Sequence, residues 1–234
     1  MSNSSITAFI LAGGMGKRLR GITNLPKCML SINGKPVLFH WIDALSELCE
    51  EVYVSLFYRG NHLRAMINEN YPQANNLNII CDGVRGQWAH AEIIANQAKT
   101  DKIILILAEN FWEGFTKREE GIDKLRDILT IPDDKAVAIG VMPQVFSSGI
   151  PGDLVWNGIL IARIKMFQSL VPQFHAHTII GESIIPFIKD HYKAHLFLMP
   201  GLYVDIGNAA TIEILKKEGY NVPILNKTRA QSHA

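Results

Sequence analysis

The sequence lacks the features that mark membrane proteins, secreted proteins and zinc scaffolds. Its longest purely apolar run, Ile103–Ala108, has six residues, far fewer than the roughly 20 that a membrane-spanning helix needs. The N-terminus, Met-Ser-Asn-Ser-Ser, is polar and uncharged, unlike a secretory signal. Cys28, Cys49 and Cys81 form no Cys-x-x-Cys pair, which argues against a disulfide framework or a zinc site. We therefore expect buried thiols in a cytoplasmic protein.

The sequence also lacks an excess of charge of one sign. Its 23 Lys and Arg residues balance 22 Asp and Glu residues, for a formal net charge of +1. This balance argues against a protein that grips nucleic acid through its phosphates, but it permits binding of a single nucleotide. Apolar residues make up 48% of the chain, enough to exclude wholesale disorder. We expect a single domain over residues 1–225, followed by a flexible polar tail over residues 226–234.

Apolar runs of strand length alternate along the chain with stretches of helical periodicity. This alternation is typical of an α/β protein with a mainly parallel sheet and helices on both faces. The most hydrophobic run, Lys102–Ala108, is predicted to be a central strand because its two faces show no polar alternation. Further strands are predicted at Ile6–Leu11, Glu51–Phe57, Asn78–Cys81, Ala136–Met142, Val155–Ala162 and His195–Met199. Helices are predicted at Val37–Glu50, His62–Glu69, Trp88–Lys99, Glu119–Leu129, Gly181–Asp190 and Ala209–Glu218, and a turn at Ser147–Gly149.

A loop rich in glycine and basic residues follows the first strand. It contains Gly13, Gly14, Gly16, Lys17, Arg18 and Arg20. Glycines let backbone amides approach an anion closely, and Arg can grip phosphate through two parallel hydrogen bonds. The spacing fits neither the Walker A loop nor the dinucleotide-binding pattern. The loop therefore predicts a phosphate site at the carboxyl edge of the sheet, where open α/β folds bind ligands.

The segments that follow the loop make the pattern more specific. Gly13–Leu19, Pro26-Lys27 and Gly34-Lys35-Pro36 occur in the order and spacing of the signature of sugar-1-phosphate nucleotidylyltransferases. The sequence is most similar to the guanylyltransferases that act on heptose-1-phosphate or mannose-1-phosphate. Near the C-terminus, Gly201–Asn208 resembles a second motif of this family.

The resemblance implies a Rossmann-like, GT-A-like nucleotidyltransferase fold and a transferase activity. The enzyme would join a nucleoside triphosphate, for which we expect GTP, to a sugar-1-phosphate and release pyrophosphate. The product would be a nucleotide-activated sugar for polysaccharide biosynthesis, and Mg²⁺ would be the cofactor. We expect no nucleic-acid or membrane partner. A sheet edge or the helix after Asp205 could support a homodimer, although no feature of the sequence requires one.

The resemblance also implies roles for individual residues. Arg18 would stabilise the departing pyrophosphate and Lys27 the α-phosphate. Nucleotide contacts are implied for Leu11, Ala12, Gly13, Gly14, Gly16, Lys17, Gln87 and Trp88. Contacts with the sugar phosphate are implied for Asn157, Gly158 and Glu182, and metal binding for Asp205 and for the position of Asn110. Glu109 or Glu113 could supply the carboxylate that Asn110 lacks. Asp205 has an alternative role as the N-cap of a helix beginning at Ile206.

The sequence departs from the family pattern at the metal and acceptor motifs. The strand that should end in Gly-Asp is followed by Glu109-Asn110, and the Glu-Lys-Pro motif that binds the sugar phosphate is missing. In the segment that reads the base, Trp88 and His90 either stack on the ligand or fill the pocket. An alternative function is therefore a degenerate family member that binds a nucleotide or nucleotide-sugar as a regulatory or partner subunit. A glycosyltransferase is a third option, although the chain has no Asp-x-Asp motif.

Overall fold

A seven-stranded sheet forms the centre of the molecule. The computed structural model describes residues 5–14, 16–19, 25–81, 89–130, 137–149, 152–173 and 180–223. In spatial order the sheet contains β10 (Ala194–Leu198), β8 (Val137–Pro143), β9 (Leu154–Arg163), β6 (Lys102–Leu107), β1 (Ile6–Leu11), β4 (Glu51–Ser55) and β5 (Leu77–Ile80). Only β9 runs antiparallel to its neighbours β6 and β8 in this sheet. The predicted mainly parallel sheet is confirmed, with β6 at its centre.

The two faces of the sheet carry separate hydrophobic cores because successive strand residues point to opposite sides. In β1, Ala8 and Ile10 belong to one core, whereas Phe9 and Leu11 belong to the other. The first core is covered by α1 (Val37–Leu48), α2 (Gly60–Asn70), α4 (Arg118–Leu129) and α8 (Ala209–Lys217). The second is covered by α3 (Ala89–Gln97), α6 (Ile164–Leu170) and α7 (Ile185–His191). Helices therefore cover both faces, as predicted.

Two short antiparallel ribbons lie beside the main sheet. The first joins β2 (Ser31–Ile32) to β3 (Lys35–Pro36) through Asn33 and Gly34, whose φ angles are 52° and 85°. An Asn-Gly pair suits this turn because both central residues need a positive φ. The second ribbon pairs β7 (Asn110–Trp112) with β11 (Tyr203–Asp205), which brings together segments almost a hundred residues apart in the chain.

The prediction of the elements is correct for the long strands and incomplete elsewhere. Ser147–Gly149, predicted as a turn, is the end of a short helix, α5 (Gln144–Ser148), with Gly149 at φ 78° after its last residue. The chain also forms α6, which the sequence analysis missed. The predicted tail, residues 226–234, lies outside the described residues.

The prediction of buried thiols is confirmed for two of the three cysteines and is wrong for Cys81. All three are free thiols, with Cys28 and Cys49 buried and Cys81 half-buried. Among the helices described, none is long and apolar enough to cross a membrane.

The position of β6 generates a prediction about stability. Leu105 in β6 is fully buried, whereas Leu196 in the edge strand β10 is 47% exposed. Leu105→Ala should lower the free energy of unfolding by about 2–5 kcal/mol, because it leaves a cavity between strand and helices. Leu196→Ala, the matched control, should change it by less than about 0.5 kcal/mol. Denaturant titration measures both values, and similar losses in the two variants would contradict the central placement of β6.

Candidate active site

The glycine loop leaves the carboxyl end of β1 and folds over the edge of the sheet. Leu11 and Ala12 are buried, and the Ala12 amide donates to the Ser55 carbonyl at the end of β4. Gly16 has a φ of 60°, and a Cβ atom there would lie 3.0 Å from Lys27 Cγ. A larger residue at this position would therefore push Lys27 away from the loop. The side chain of Lys17 lies outside the described part of the structure.

Lys27 reaches this edge from a short 3₁₀-helix, Lys27–Met29. The residue is only 9% exposed, and its Nζ lies 3.4 Å from Glu109 Oε1. A buried ammonium group needs an anionic partner, because leaving it unpaired in a low-dielectric environment is costly. Glu109 supplies that partner from the segment between β6 and β7. This ion pair ties the glycine loop region to the carboxyl end of the central strand.

Asp205 reaches the same place through the β7–β11 ribbon. It pairs with Asn110 in the ladder, and the next amide, of Ile206, donates to the Glu109 carbonyl at 3.0 Å. Its own Oδ1 accepts from the Gly207 amide at 2.6 Å. The alternative prediction of a helix N-cap at Asp205 is wrong, since Asn208 caps α8 by accepting from the Thr211 amide at 3.0 Å. Asp205 therefore lies on the ribbon beside Glu109.

Arg18, Lys27, Glu109 and Asp205 form what we call the charged cluster. Arg18 Nη2 lies 3.8 Å from Asp205 Oδ2 and, with its side chain 61% exposed, marks the open side of the cluster. The cluster surrounds Gly207 closely. A Cβ atom there would lie 2.6 Å from Asp205 Oδ1, 2.8 Å from Lys27 Nζ and 2.9 Å from Arg18 Nη2. Two anions and two cations thus meet where only a glycine fits.

Burial and neighbouring charges perturb the acidic side of this cluster. The pKa of Asp205 is raised, chiefly by burial and also by the nearby Glu109 carboxylate. Lys27, the Gly207 amide and Arg18 oppose this rise. Burial and the same Glu109 charge raise the pKa of the Cys28 thiol to about 12. A carboxyl group whose pKa is raised by burial and by a neighbouring carboxylate is typical of functional sites.

The side chains of the charged cluster can be compared with the ligands that a metal ion requires. Within the described part of the chain, no group of three or more His, Cys, Asp and Glu residues could hold a metal. The cluster offers two carboxylates, Glu109 and Asp205. Carboxylate oxygens suit a hard cation such as Mg²⁺, which usually takes one or two protein carboxylates and completes its shell with phosphates and water. The residues present therefore fit Mg²⁺ bound together with a polyphosphate.

Asn110, Asn157 and Gly158, the other candidates on these strands, face the protein interior. Asn110 Nδ2 donates to the Asn157 carbonyl at 2.6 Å, and a Cβ atom on Gly158 would collide with that amide. Asn157 is fully buried, and its Oδ1 accepts from the Ile159 amide at 3.0 Å. Its side chain packs against Gly140 at the irregularity between β8 and β9. These three residues join strands to one another.

The remaining candidates lie elsewhere or outside the described residues. Glu182 is exposed on a one-turn π-helix, Ile180–Ile184, directly before α7. Gln87 and Trp88 belong to the part of the chain that the structure does not describe. His90 fills space rather than facing solvent, since it is fully buried and its Nδ1 lies 2.7 Å from Ser55 Oγ.

Two residues near the cluster were missed by sequence reasoning. Gly207 was noted only within a motif, although its lack of a side chain makes room for three charged groups. Trp41 lies within the predicted helix Val37–Glu50 and was given no further role, yet its Nε1 donates to the Asn110 carbonyl at 2.7 Å. The hydrogen bond from Trp41 to Asn110 joins residues 69 positions apart, so no local sequence pattern could have predicted it.

Comparison with known sequences gives a family match for the part of the chain that runs from β1 to the end of β6. Residues 8–107 match the model of the MobA-like NTP transferase domain. The chain is 37% identical over 67 residues to the bifunctional protein GlmU of Sulfurovum sp., covering 29% of this chain and 15% of that protein. It is 24% identical over 222 residues to the probable mannose-1-phosphate guanylyltransferase 2 of Arabidopsis thaliana, covering 86% of this chain and 61% of that relative. The chain thus spans less than two thirds of the length of each of these relatives.

Solved structures give the same picture for the fold. HddC from Yersinia pseudotuberculosis superimposes with a TM-score of 0.66 at 18% identity, covering 91% of this chain and 98% of HddC. The inositol-1-phosphate CTP transferase of T. maritima has a TM-score of 0.69 at 14% identity, covering 90% and 93% of the two chains. The expected nucleotidyltransferase fold is confirmed. The predicted resemblance is confirmed as well: residues 8–107, less than half of the chain, match the MobA-like NTP transferase domain, and similar proteins include probable mannose-1-phosphate guanylyltransferases and GlmU proteins.

Proposed function

We propose that this protein transfers a nucleotidyl group from a nucleoside triphosphate to a sugar-1-phosphate and releases pyrophosphate. The observation that carries the proposal is the charged cluster beside the glycine loop, at the carboxyl edge of the sheet. The matched NTP transferase region ends at residue 107, two residues before Glu109. The probable mannose-1-phosphate guanylyltransferases among the relatives support GTP as the nucleotide and a hexose-1-phosphate as the acceptor.

The glycine loop and the two cations would bind the triphosphate. The amides around Gly13, Gly14 and Gly16 can approach phosphate oxygens because no side chain intervenes. Arg18, on the open side, suits the departing pyrophosphate, and the buried Lys27 suits the α-phosphate. Leu11 and Ala12 would line the floor beneath the nucleoside.

The reaction would be an in-line substitution at the α-phosphorus. An oxygen of the acceptor phosphate forms a bond to that phosphorus, and the bond to the β-phosphate oxygen breaks with its electron pair leaving on pyrophosphate. Glu109 and Asp205 would hold Mg²⁺, which when bound neutralises part of the phosphate charge. The chain's own contribution is to hold two mutually repelling anions together and to offset the charge that spreads in the transition state.

A second candidate function is nucleotide binding without transfer. The burial of Asn157 and Gly158 within the strands favours it, because these are the positions expected to contact the sugar phosphate. The two functions differ in one measurement, pyrophosphate release from the four common nucleoside triphosphates with Mg²⁺ and a panel of sugar-1-phosphates. Release with one pair supports transfer. Silence throughout, with a nucleotide still raising the melting temperature, supports binding alone.

The exposed position of Arg18 makes it a clean test of the loop. Arg18→Ala should lower kcat/KM for pyrophosphate release on the order of a hundredfold, because a charge that stabilises the transition state is lost. Its melting temperature should stay close to that of the wild type, since exposed ion pairs add little stability. Arg126→Ala removes another exposed ion-paired arginine, on α4, and should leave turnover unchanged. Unchanged turnover in Arg18→Ala would contradict the assigned role.

The raised pKa of Asp205 predicts that this residue costs stability at neutral pH. A carboxyl whose pKa is higher in the folded state than in the unfolded state destabilises the fold as pH rises through that range. Asp205→Asn keeps an acceptor for the Gly207 amide and carries no charge. It should therefore melt at a higher temperature than the wild type at pH 7.5, while losing activity. The difference should shrink as the pH falls toward the ordinary Asp pKa of 3.8.

A matched control for that variant is Asp43→Asn. Asp43 pairs with Lys35 and accepts from the Tyr71 hydroxyl, so this variant should melt below the wild type at pH 7.5. Thermal melts across pH 4 to 8 measure both variants. A lower melting temperature for Asp205→Asn at pH 7.5 would contradict the cost assigned to Asp205.

A further inference from the structure

Asn110 occupies the first position of β7, directly after Glu109, and its side chain is hydrogen-bonded to β9. The residue is 2% exposed. Its Nδ2 donates to the carbonyl of Asn157 in β9 at 2.6 Å, and the amide packs against Gly158. The side chain thus joins the ribbon to the main sheet.

The backbone of Asn110 is held from the opposite direction by α1. The indole Nε1 of the fully buried Trp41 donates to the Asn110 carbonyl at 2.7 Å. In the ribbon, Asn110 pairs with Asp205, and the Ile206 amide donates to the Glu109 carbonyl. The Glu109-Asn110 segment is therefore fixed by α1, β9 and β11 together.

Only an amide can make this set of contacts. A carboxylate at position 110 would set an anionic acceptor against the Asn157 carbonyl, which is itself an acceptor. The contact with the Asn157 carbonyl would change from a hydrogen bond to a repulsion, and a negative charge would be buried at this position. The position therefore suits a hydrogen-bond donor.

We propose that Asn110 is a positioning residue, which acts with Trp41 to hold Glu109 and Asp205 side by side as a cation site. The inference rests on the proposed function for the Glu109 and Asp205 carboxylates. It reassigns Asn110 from metal ligand to support, and leaves Glu109 as the carboxylate that follows the central strand. Groups that orient metal ligands without touching the metal typically contribute 10–100-fold to affinity.

The proposal can be tested by measuring Mn²⁺ binding to the full chain, with electron paramagnetic resonance used to quantify the free Mn²⁺. This measurement does not depend on enzymatic activity. Asn110→Asp should bind Mn²⁺ on the order of tenfold more weakly than the wild type. Trp41→Phe keeps the ring and removes the N–H donor, and it should also bind more weakly. Two matched controls should bind like the wild type: Asn78→Asp, at an exposed position in β5, and Trp156→Phe, whose Nε1 bonds within β9.

Tighter Mn²⁺ binding by the Asn110→Asp variant would overturn the proposal. If position 110 were a ligand position, Asn110→Asp would add a third carboxylate and bind Mn²⁺ more tightly. Equal affinity in the wild type, Asn110→Asp and Trp41→Phe would also overturn it. If a thermal melt shows that Asn110→Asp is unfolded, Trp41→Phe decides the question alone.

Two further variants test separately whether Glu109 and Asp205 form a cation site. Glu109→Gln and Asp205→Asn should each weaken Mn²⁺ binding. If neither does, or if the wild type binds no Mn²⁺, the carboxylate pair is not a cation site and both proposals fall. If both weaken binding but the variants at positions 110 and 41 do not, only the role of Asn110 is refuted.

Discussion

The buried ion pair between Lys27 and Glu109 is the constraint on which the site depends. Lys27 is almost inaccessible to water, so its charge must be met by a carboxylate within the same low-dielectric region. Glu109 meets it from the end of the central strand, at 3.4 Å. Among the described residues, loss of Glu109 would leave Lys27 with only the Asp205 carboxylate nearby, and loss of Lys27 would leave two neighbouring carboxylates without the buried cation between them. Because of this pair, the glycine loop, the 3₁₀-helix at Lys27 and the β7–β11 ribbon meet at one edge of the sheet.

The four charges of the cluster sum to zero, and this balance bears on what can bind. A polyphosphate alone would meet the two carboxylates, and a divalent cation alone would meet the two cations. A complex of the two offers negative oxygens to Arg18 and Lys27 and positive charge to Glu109 and Asp205. The arrangement thus favours a metal–polyphosphate complex over either ion by itself. Burial, with a smaller contribution from Glu109, raises the pKa of Asp205, and a cation bound beside this carboxylate would lower it.

The parts of this structure that follow from local sequence were predicted, and the parts set by distant contacts were not. The apolar run of β6, the glycine loop and the motif containing Lys27 are continuous in sequence, so their positions could be derived. The direction of the Asn110 side chain depends on Asn157, which is 47 residues away, and on Trp41 in another helix. The choice between a ribbon and a helix N-cap for Asp205 depended on Asn208, which lies directly before α8 and caps it by accepting from the Thr211 amide.

The acceptor side of the site shows how packing can reassign residues that a motif suggests. Asn157 is fully buried beside Gly140, where the register of β8 and β9 shifts. Gly158 has a φ of 90° and leaves room only for the Asn110 amide. Nearby, α5 packs against β11 and α8, and the Asn208 amide donates to the Ser147 carbonyl at its end. If the chain transfers a nucleotidyl group, side chains other than Asn157 must therefore recognise the acceptor. Recognition can then differ from that of relatives while the nucleotide side keeps its glycine loop and paired charges.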